Sequence, residues 1–186
     1  MSPMKLHPTR LGGLTVIETT PVDDMRGRFV RVFCEDELVA LRPALHFPQI
    51  NLSTSFARGT VRGMHFQRPP AAEAKLIRCV RGRVLDVAVD VRAGSPTFLQ
   101  WQGIELDADS PRQIFIPEGF AHGFQALTDD VQLLYLHTSR WCCEHETTLR
   151  HDDPALAITW PLPVTQVSDK DRRAPLLDVA FAGVAA

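Results

Sequence analysis

The sequence predicts an all-β protein, a double-sheet sandwich or barrel, and three observations carry that reading. Short runs rich in β-branched and aromatic residues recur along most of the 186 residues, with little helical periodicity. Gly, Pro and Asp clusters separate several of them: Asp24-Met25-Arg26-Gly27, Arg81-Gly82, Gly94-Ser95-Pro96 and Pro117-Glu118-Gly119. The 14 prolines suit a turn-rich architecture and would interrupt long helices.

In chain order, LTVIET (14–19) and RFVRVF (28–33) open the series of expected strands, followed by FPQINLS (47–53). The central strands are 60–67, 74–80 and 83–91; the later ones are 98–106, 112–116, 122–127 and 131–138. Only EDELVAL (35–41) reads as a helix, with an acidic first turn that complements the helix dipole and Pro43 to stop it. From about Asp152 the chain is proline-punctuated and is expected to wrap the outside, with its end, AFAGVAA, frayed. One domain over 1–186 is expected, its tail peripheral from about residue 172.

Composition narrows the function classes. An apolar share of 45% and 23% charged residues describe an ordinary folded chain. A net charge of −2 and a pI near 6.4 offer no general attraction to nucleic acid or an anionic membrane, so neither is expected as a partner. The start, MSPMKLHPTRLGG, lacks the apolar core of a secretory signal, and no apolar run approaches the roughly 20 residues of a membrane span. Cys79 lies in an apolar strand and reads as a buried thiol, while Cys142 and Cys143 lack the spaced partners of a zinc site. A reduced, cytoplasmic protein is the expectation.

The most informative stretch is VRGMHFQRPPAAEAK (61–75), which places arginine, histidine, glutamine and lysine among paired strands. His65 reads as a general base, since an imidazole with an ordinary pKa near 6.5 accepts a proton at neutral pH; the plainer reading is a core histidine bonded to a carbonyl. Lys75, opening an apolar strand, can point into the same cavity and hold negative charge on a substrate oxygen, or sit solvated at the strand end. Arg26, Arg62 and Lys75 together suit phosphate oxygens. Tyr135, the only tyrosine, shares a face with Leu133 and His137 and can donate a proton or serve structure alone.

Period-two parity places Arg62 and His65 on opposite faces, so a shared pocket requires a bulge, which Gly63 can supply. Parity also groups Lys75, Ile77 and Cys79 on one face, and Asp86, Ala88 and Asp90 on one face. His122, in IPEGFAH, allows a metal reading with His65, Gln67 and Glu73, although glutamine is a poor ligand.

Taken in order, DDMRGRF, QINLSTS, GTVRGMHFQ, AKLIRCVRGRVLDVAVDVR, SPTF, IPEGFAHGF, LLYLHT and SDKD span almost the whole chain. In these pieces the sequence resembles the dTDP-4-dehydrorhamnose 3,5-epimerase family. The resemblance implies a cupin-type jelly roll (double-stranded β-helix) with short peripheral helices, a homodimer, no metal and no redox cofactor. It implies His65 as base with Asp171 as its carboxylate, Lys75 at the C4 carbonyl oxygen, and Tyr135 as acid from the opposite side of a dTDP-linked 4-keto sugar. Arg26, Gln49, Asn51, Arg62 and His122 fall at positions that hold diphosphate and sugar, and Phe29 would reach across the dimer to the base. Two positions depart from the family pattern: Arg31 stands where a glutamate is usual, and Trp141 where a stacking tyrosine is common. The competing readings are a metal-dependent cupin enzyme and a sugar-nucleotide binding protein without turnover.

Overall fold

The computed structural model describes residues 4–185. In chain order the elements are β1 (Lys5–Pro8), β2 (Thr15–Glu18), β3 (Val22–Asp24), β4 (Gly27–Phe29) and α1 (Glu35–Leu38). Then follow β5 (Gln49–Ser55), β6 (Val61–Gln67), β7 (Lys75–Arg81), β8 (Arg83–Asp90), β9 (Trp101–Asp107) and β10 (Arg112–Ile116). The last are β11 (Phe120–Ala126), β12 (Val131–His137), β13 (Glu146–Thr148) and α2 (Asp169–Arg173).

Two antiparallel sheets make the body. One has the order β1-β2-β10-β7-β12-β5, the other β13-β6-β11-β8-β9, while β3 and β4 form a separate ribbon. Successive strands β5 to β8 and β10 to β12 change sheet at every connection, so the chain winds back and forth between the two layers. This is the double-sheet architecture that the strand pattern predicts and the jelly roll that the family resemblance implies.

The parity of the strands sorts their side chains into three apolar layers. Between the sheets lie Ile77 and Cys79 of β7, Ala88 of β8, Ile114 of β10 and Leu133 of β12, all fully buried. On the outer face of the six-stranded sheet, Leu76 and Leu136 pack with Leu38 of α1 and with Leu45. On the outer face of the other sheet, Val87 and Val89 are covered by Leu149, Leu156, Leu177 and Phe181. Each of the Leu, Ile, Val and Phe side chains stabilises the fold by about 1.5–3 kcal/mol through burial. The C-terminal segment therefore closes a core.

The chain end differs from expectation. Val184 exchanges backbone hydrogen bonds with the segment after β8 (Ala93 N–H to Val184 O, Val184 N–H to Val91 O, each 2.8 Å), and Phe181 stacks on Phe98. The segment is pinned rather than frayed, because apolar Phe181 and Val184 find a face to cover; Ala186 lies outside the described residues. The strand expected at 28–33 stops at Phe29, and the one expected at 98–106 starts at Trp101 because Thr97 and Leu99 lie in a turn on Asp90.

Gly63 acts as the sequence predicts. His65 pairs with His122 and Arg62 with Phe124, so β6 carries one more residue than β11 across this interval. Gly63 has φ +114°, and a Cβ there would lie 2.5 Å from Gly123 Cα. The extra residue turns Arg62 and His65 toward one side.

Candidate active site

A cavity of about 940 Å³ opens between the sheets at the end that the apolar core leaves unfilled. From the five-stranded sheet come Arg62, His65 and His122; from the six-stranded sheet come Asn51, Ser53, Lys75, Tyr135 and His137. Gln49, Gln67, Glu73, Trp141 and Asp171 complete the part of the wall that the sequence picks out. His65 and Tyr135 thus enter one space from opposite layers.

His65 Nε2 lies 2.6 Å from Asp171 Oδ1, across 106 residues of sequence. Asp171 is held by α2: Ser168 caps that helix and accepts from the Asp171 N–H at 3.1 Å. The second carboxylate oxygen accepts the Gly63 N–H at 3.3 Å, so the bulge that aims His65 also anchors its partner. Burial pushes the Asp171 carboxyl up, but the hydrogen bond and charge of His65 and the Gly63 N–H outweigh it, leaving the carboxyl below its ordinary range.

His122 is buried and bonds Asp86 Oδ2 at 2.9 Å. Burial lowers its pKa against the opposing pull of Asp86, which keeps the ring neutral at pH 7. Tyr135 packs edge-on to His122 and stacks on His137, ring centres 5.9 Å apart in both cases. Burial raises its phenol well above the ordinary value, so it stays protonated and able to donate. The Ser53 hydroxyl on the neighbouring strand is buried and has no hydrogen-bond partner among the described residues.

Lys75 is buried and donates to the His65 carbonyl at 3.3 Å. Arg62 is tied to β5 through Ser55 Oγ (3.0 Å) and the Thr54 carbonyl (2.9 Å). Gln49 accepts the Trp141 N–H at 3.0 Å, and Gln67 accepts the Cys142 N–H at 2.6 Å, which fixes the rim. The Trp141 side chain stays 56% exposed there.

Two of the expected residues stand apart. Arg26 and Phe29 sit on or beside the exposed β3–β4 ribbon, where Arg26 pairs with Asp24 at 2.6 Å and Phe29 is 63% exposed. Within one chain Arg26 does not join Arg62 and Lys75, because the hairpin turn directs it to its own aspartate. Arg31 forms an ion pair with Glu37 of α1 instead of entering the cavity.

The ligand atoms of His65, His122 and Glu73 are not gathered in one place. His65 and His122 each engage their own aspartate, and Glu73 engages Lys75 and His137. Among the described residues, the one group with clustered ligand atoms is Cys142, Glu144 and His145, on the turn before β13 and outside the catalytic set.

Sequence reasoning gave no role to His137 or Asp86, and took Glu73 only as a possible ligand. Parity was the available signal: His137 shares a face with Tyr135, and Asp86 shares one with Ala88.

Comparison with known proteins decides the family. The model of the dTDP-4-dehydrorhamnose 3,5-epimerase family matches residues 8–178. The chain belongs to this family. It is 41% identical over 175 residues to a dTDP-4-dehydrorhamnose 3,5-epimerase of Sinorhizobium fredii, covering 94% of this chain and 90% of the relative. It is 40% identical over 175 residues to a dTDP-4-dehydrorhamnose 3-epimerase of Streptomyces niveus, covering 94% and 84%. Among solved structures, a 3,5-epimerase of Legionella pneumophila in complex with dTDP-4-keto-L-rhamnose superposes with TM-score 0.91 at 37% identity, covering 98% and 99%. As an epimerase-family member the protein is an isomerase. Relatives named as 3,5-epimerase and as 3-epimerase stand at nearly equal identity, 41% and 40%.

Proposed function

We propose that the protein epimerises a dTDP-linked 4-keto-6-deoxyhexose at C3, C5 or both, by proton transfer through an enolate, with His65 as base and Tyr135 as acid. The observation that carries this is the entry of His65 and Tyr135 into one cavity from opposite sheets. Inversion needs a proton removed from one side of a carbon and returned from the other, and two groups on facing walls meet that need.

The C4 ketone acidifies hydrogens at C3 and C5, because the electrons left behind delocalise onto oxygen. With its Nε2 bonded to Asp171, His65 takes the proton on Nδ1, and Asp171 stabilises the imidazolium that results. Lys75 meets the negative oxygen, an interaction that strengthens only as charge develops. Tyr135 then donates its phenolic proton to the opposite face of the carbon. General acid–base catalysis of this kind contributes about 10²–10⁴-fold. Arg62, Gln49, Asn51 and His122 hold diphosphate and sugar, and Trp141 offers a ring on which a base can stack.

The assembly is a homodimer in this reading. Edge strand β5 exposes Ile50 (60%) and Leu52 (59%), and the ribbon exposes Met25 and Phe29, apolar surface that a second copy would cover. A ribbon lying across that edge would bring Arg26 and Phe29 to the partner's cavity. No helix among the described residues is long and apolar enough to cross a membrane, and the free Cys34, Cys79, Cys142 and Cys143 suit the reducing cytoplasm.

The test is an NMR time course with dTDP-4-keto-6-deoxyglucose in deuterated water. Deuterium should enter C3, C5 or both with the native protein and neither position with His65→Ala. Undiminished exchange in that variant removes His65 from the role of base.

A further inference from the structure

Two carboxylate–imidazole pairs, His65–Asp171 and His122–Asp86, belong to the site as described; a third has no role yet. Glu73, just before β7, places Oε2 2.8 Å from His137 Nδ1 and Oε1 3.2 Å from Lys75 Nζ. The Glu73 and Lys75 side chains are each only 8% exposed. An ammonium this deep is costly without a counter-charge. The other ionisable groups of the inner cavity are His65 with Asp171, His122 with Asp86, Tyr135 and Arg62. At the rim, Glu146 pairs with Lys170, and Arg172 donates to the Val167 carbonyl at 3.2 Å. The two other carboxylates of the inner cavity, Asp86 and Asp171, already serve imidazoles, which leaves Glu73 for Lys75.

We propose that Glu73 is the positioning residue of Lys75, holding its ammonium charged and aimed at the substrate's enolate oxygen, while His137 fixes the carboxylate from the far side. The proposal rests on the role given to Lys75 above. An ammonium has three N–H groups; one goes to the His65 carbonyl and one to Glu73, leaving one for the cavity. The same contacts tie the oxyanion donor to the backbone of the residue that acts as base. His137 Nε2 lies 3.3 Å from Asn51 Nδ2, a donor, so Nε2 accepts and the ring proton stays on Nδ1 toward Glu73. Burial opposes the carboxylate's charge, yet the His137 hydrogen bond and the nearby Lys75 hold the Glu73 carboxyl below its ordinary range.

Glu73→Gln keeps size and hydrogen bonding and removes only the charge. Steady-state kinetics across pH should show kcat lowered about 10- to 100-fold with KM changed less than about 3-fold, since the loss is of alignment at the reacting oxygen. The alkaline limb of kcat should move down by about one pH unit or more, because the ammonium loses a counter-charge within about 4 Å. His137→Asn, which keeps a donor for Glu73, should retain more activity than His137→Leu. That pair carries the test on the same limb should Glu73→Gln fail to melt cooperatively. A Glu73→Gln protein with native kcat and an unmoved limb, beside an inactive Lys75→Met, overturns this proposal and leaves the function intact. An active Lys75→Met overturns the function's oxyanion step itself.

Discussion

Asp171 is 2% exposed and still carries its charge, because the His65 imidazole and the Gly63 N–H compensate the loss of water. Its carboxyl sits below the unfolded value of about 3.9, so its contribution is complete above that pH and is lost as pH falls through the folded value. Asp171→Asn is close in shape but neutral, and leaves an imidazolium at His65 uncompensated. The rate of deuterium entry at pH 7 should fall about 10²–10⁴-fold in this variant, with the melting curve confirming a folded protein; a native rate contradicts the pairing. His65, Lys75 and Tyr135 stood out by residue type, since few side chains can move a proton near neutral pH, and all three line one cavity. Asp171 was legible only through family resemblance, because no local pattern relates positions 106 apart. Glu73 drew only a weak metal reading and no other role, because sequence shows a carboxylate but not which cation it faces.

The central strands were read nearly to the residue, because β6, β7, β8 and β12 have buried faces that enforce period two. The same alternation exposed the conflict between Arg62 and His65 and named Gly63 as its resolution, which the register of β6 against β11 bears out. Elements without a buried face went unseen. Strand β3 and strand β13 have three residues each and little apolar content. Helix α2 has five residues, with Asp171 as its only buried one. Helix α1 came out shorter than the 35–41 expected: its regular part is Glu35–Leu38, with Leu38 its one buried residue. The C-terminal segment was placed correctly on the outside and wrongly judged loose, because its contacts are tertiary.

The molecule as a whole joins a rigid double sheet to one open end, where loops, α2 and the rim around Trp141 frame the cavity. Its exposed β5 edge and separate ribbon make sense if two copies associate. Light scattering at micromolar concentration should give about twice the 20.8 kDa chain mass, and Phe29→Ala with Arg26→Ala should weaken substrate binding in the dimer. A monomer with full activity contradicts that assembly. The central claim is the division of labour between facing walls, with His65 taking the proton and Tyr135 returning one from the other side. Following Tyr135→Phe by NMR in deuterated water tests it most directly. Deuterium should still wash into the substrate at C3 or C5 while inverted product forms at least about 10²-fold more slowly. Inverted product appearing at the native rate would contradict the account.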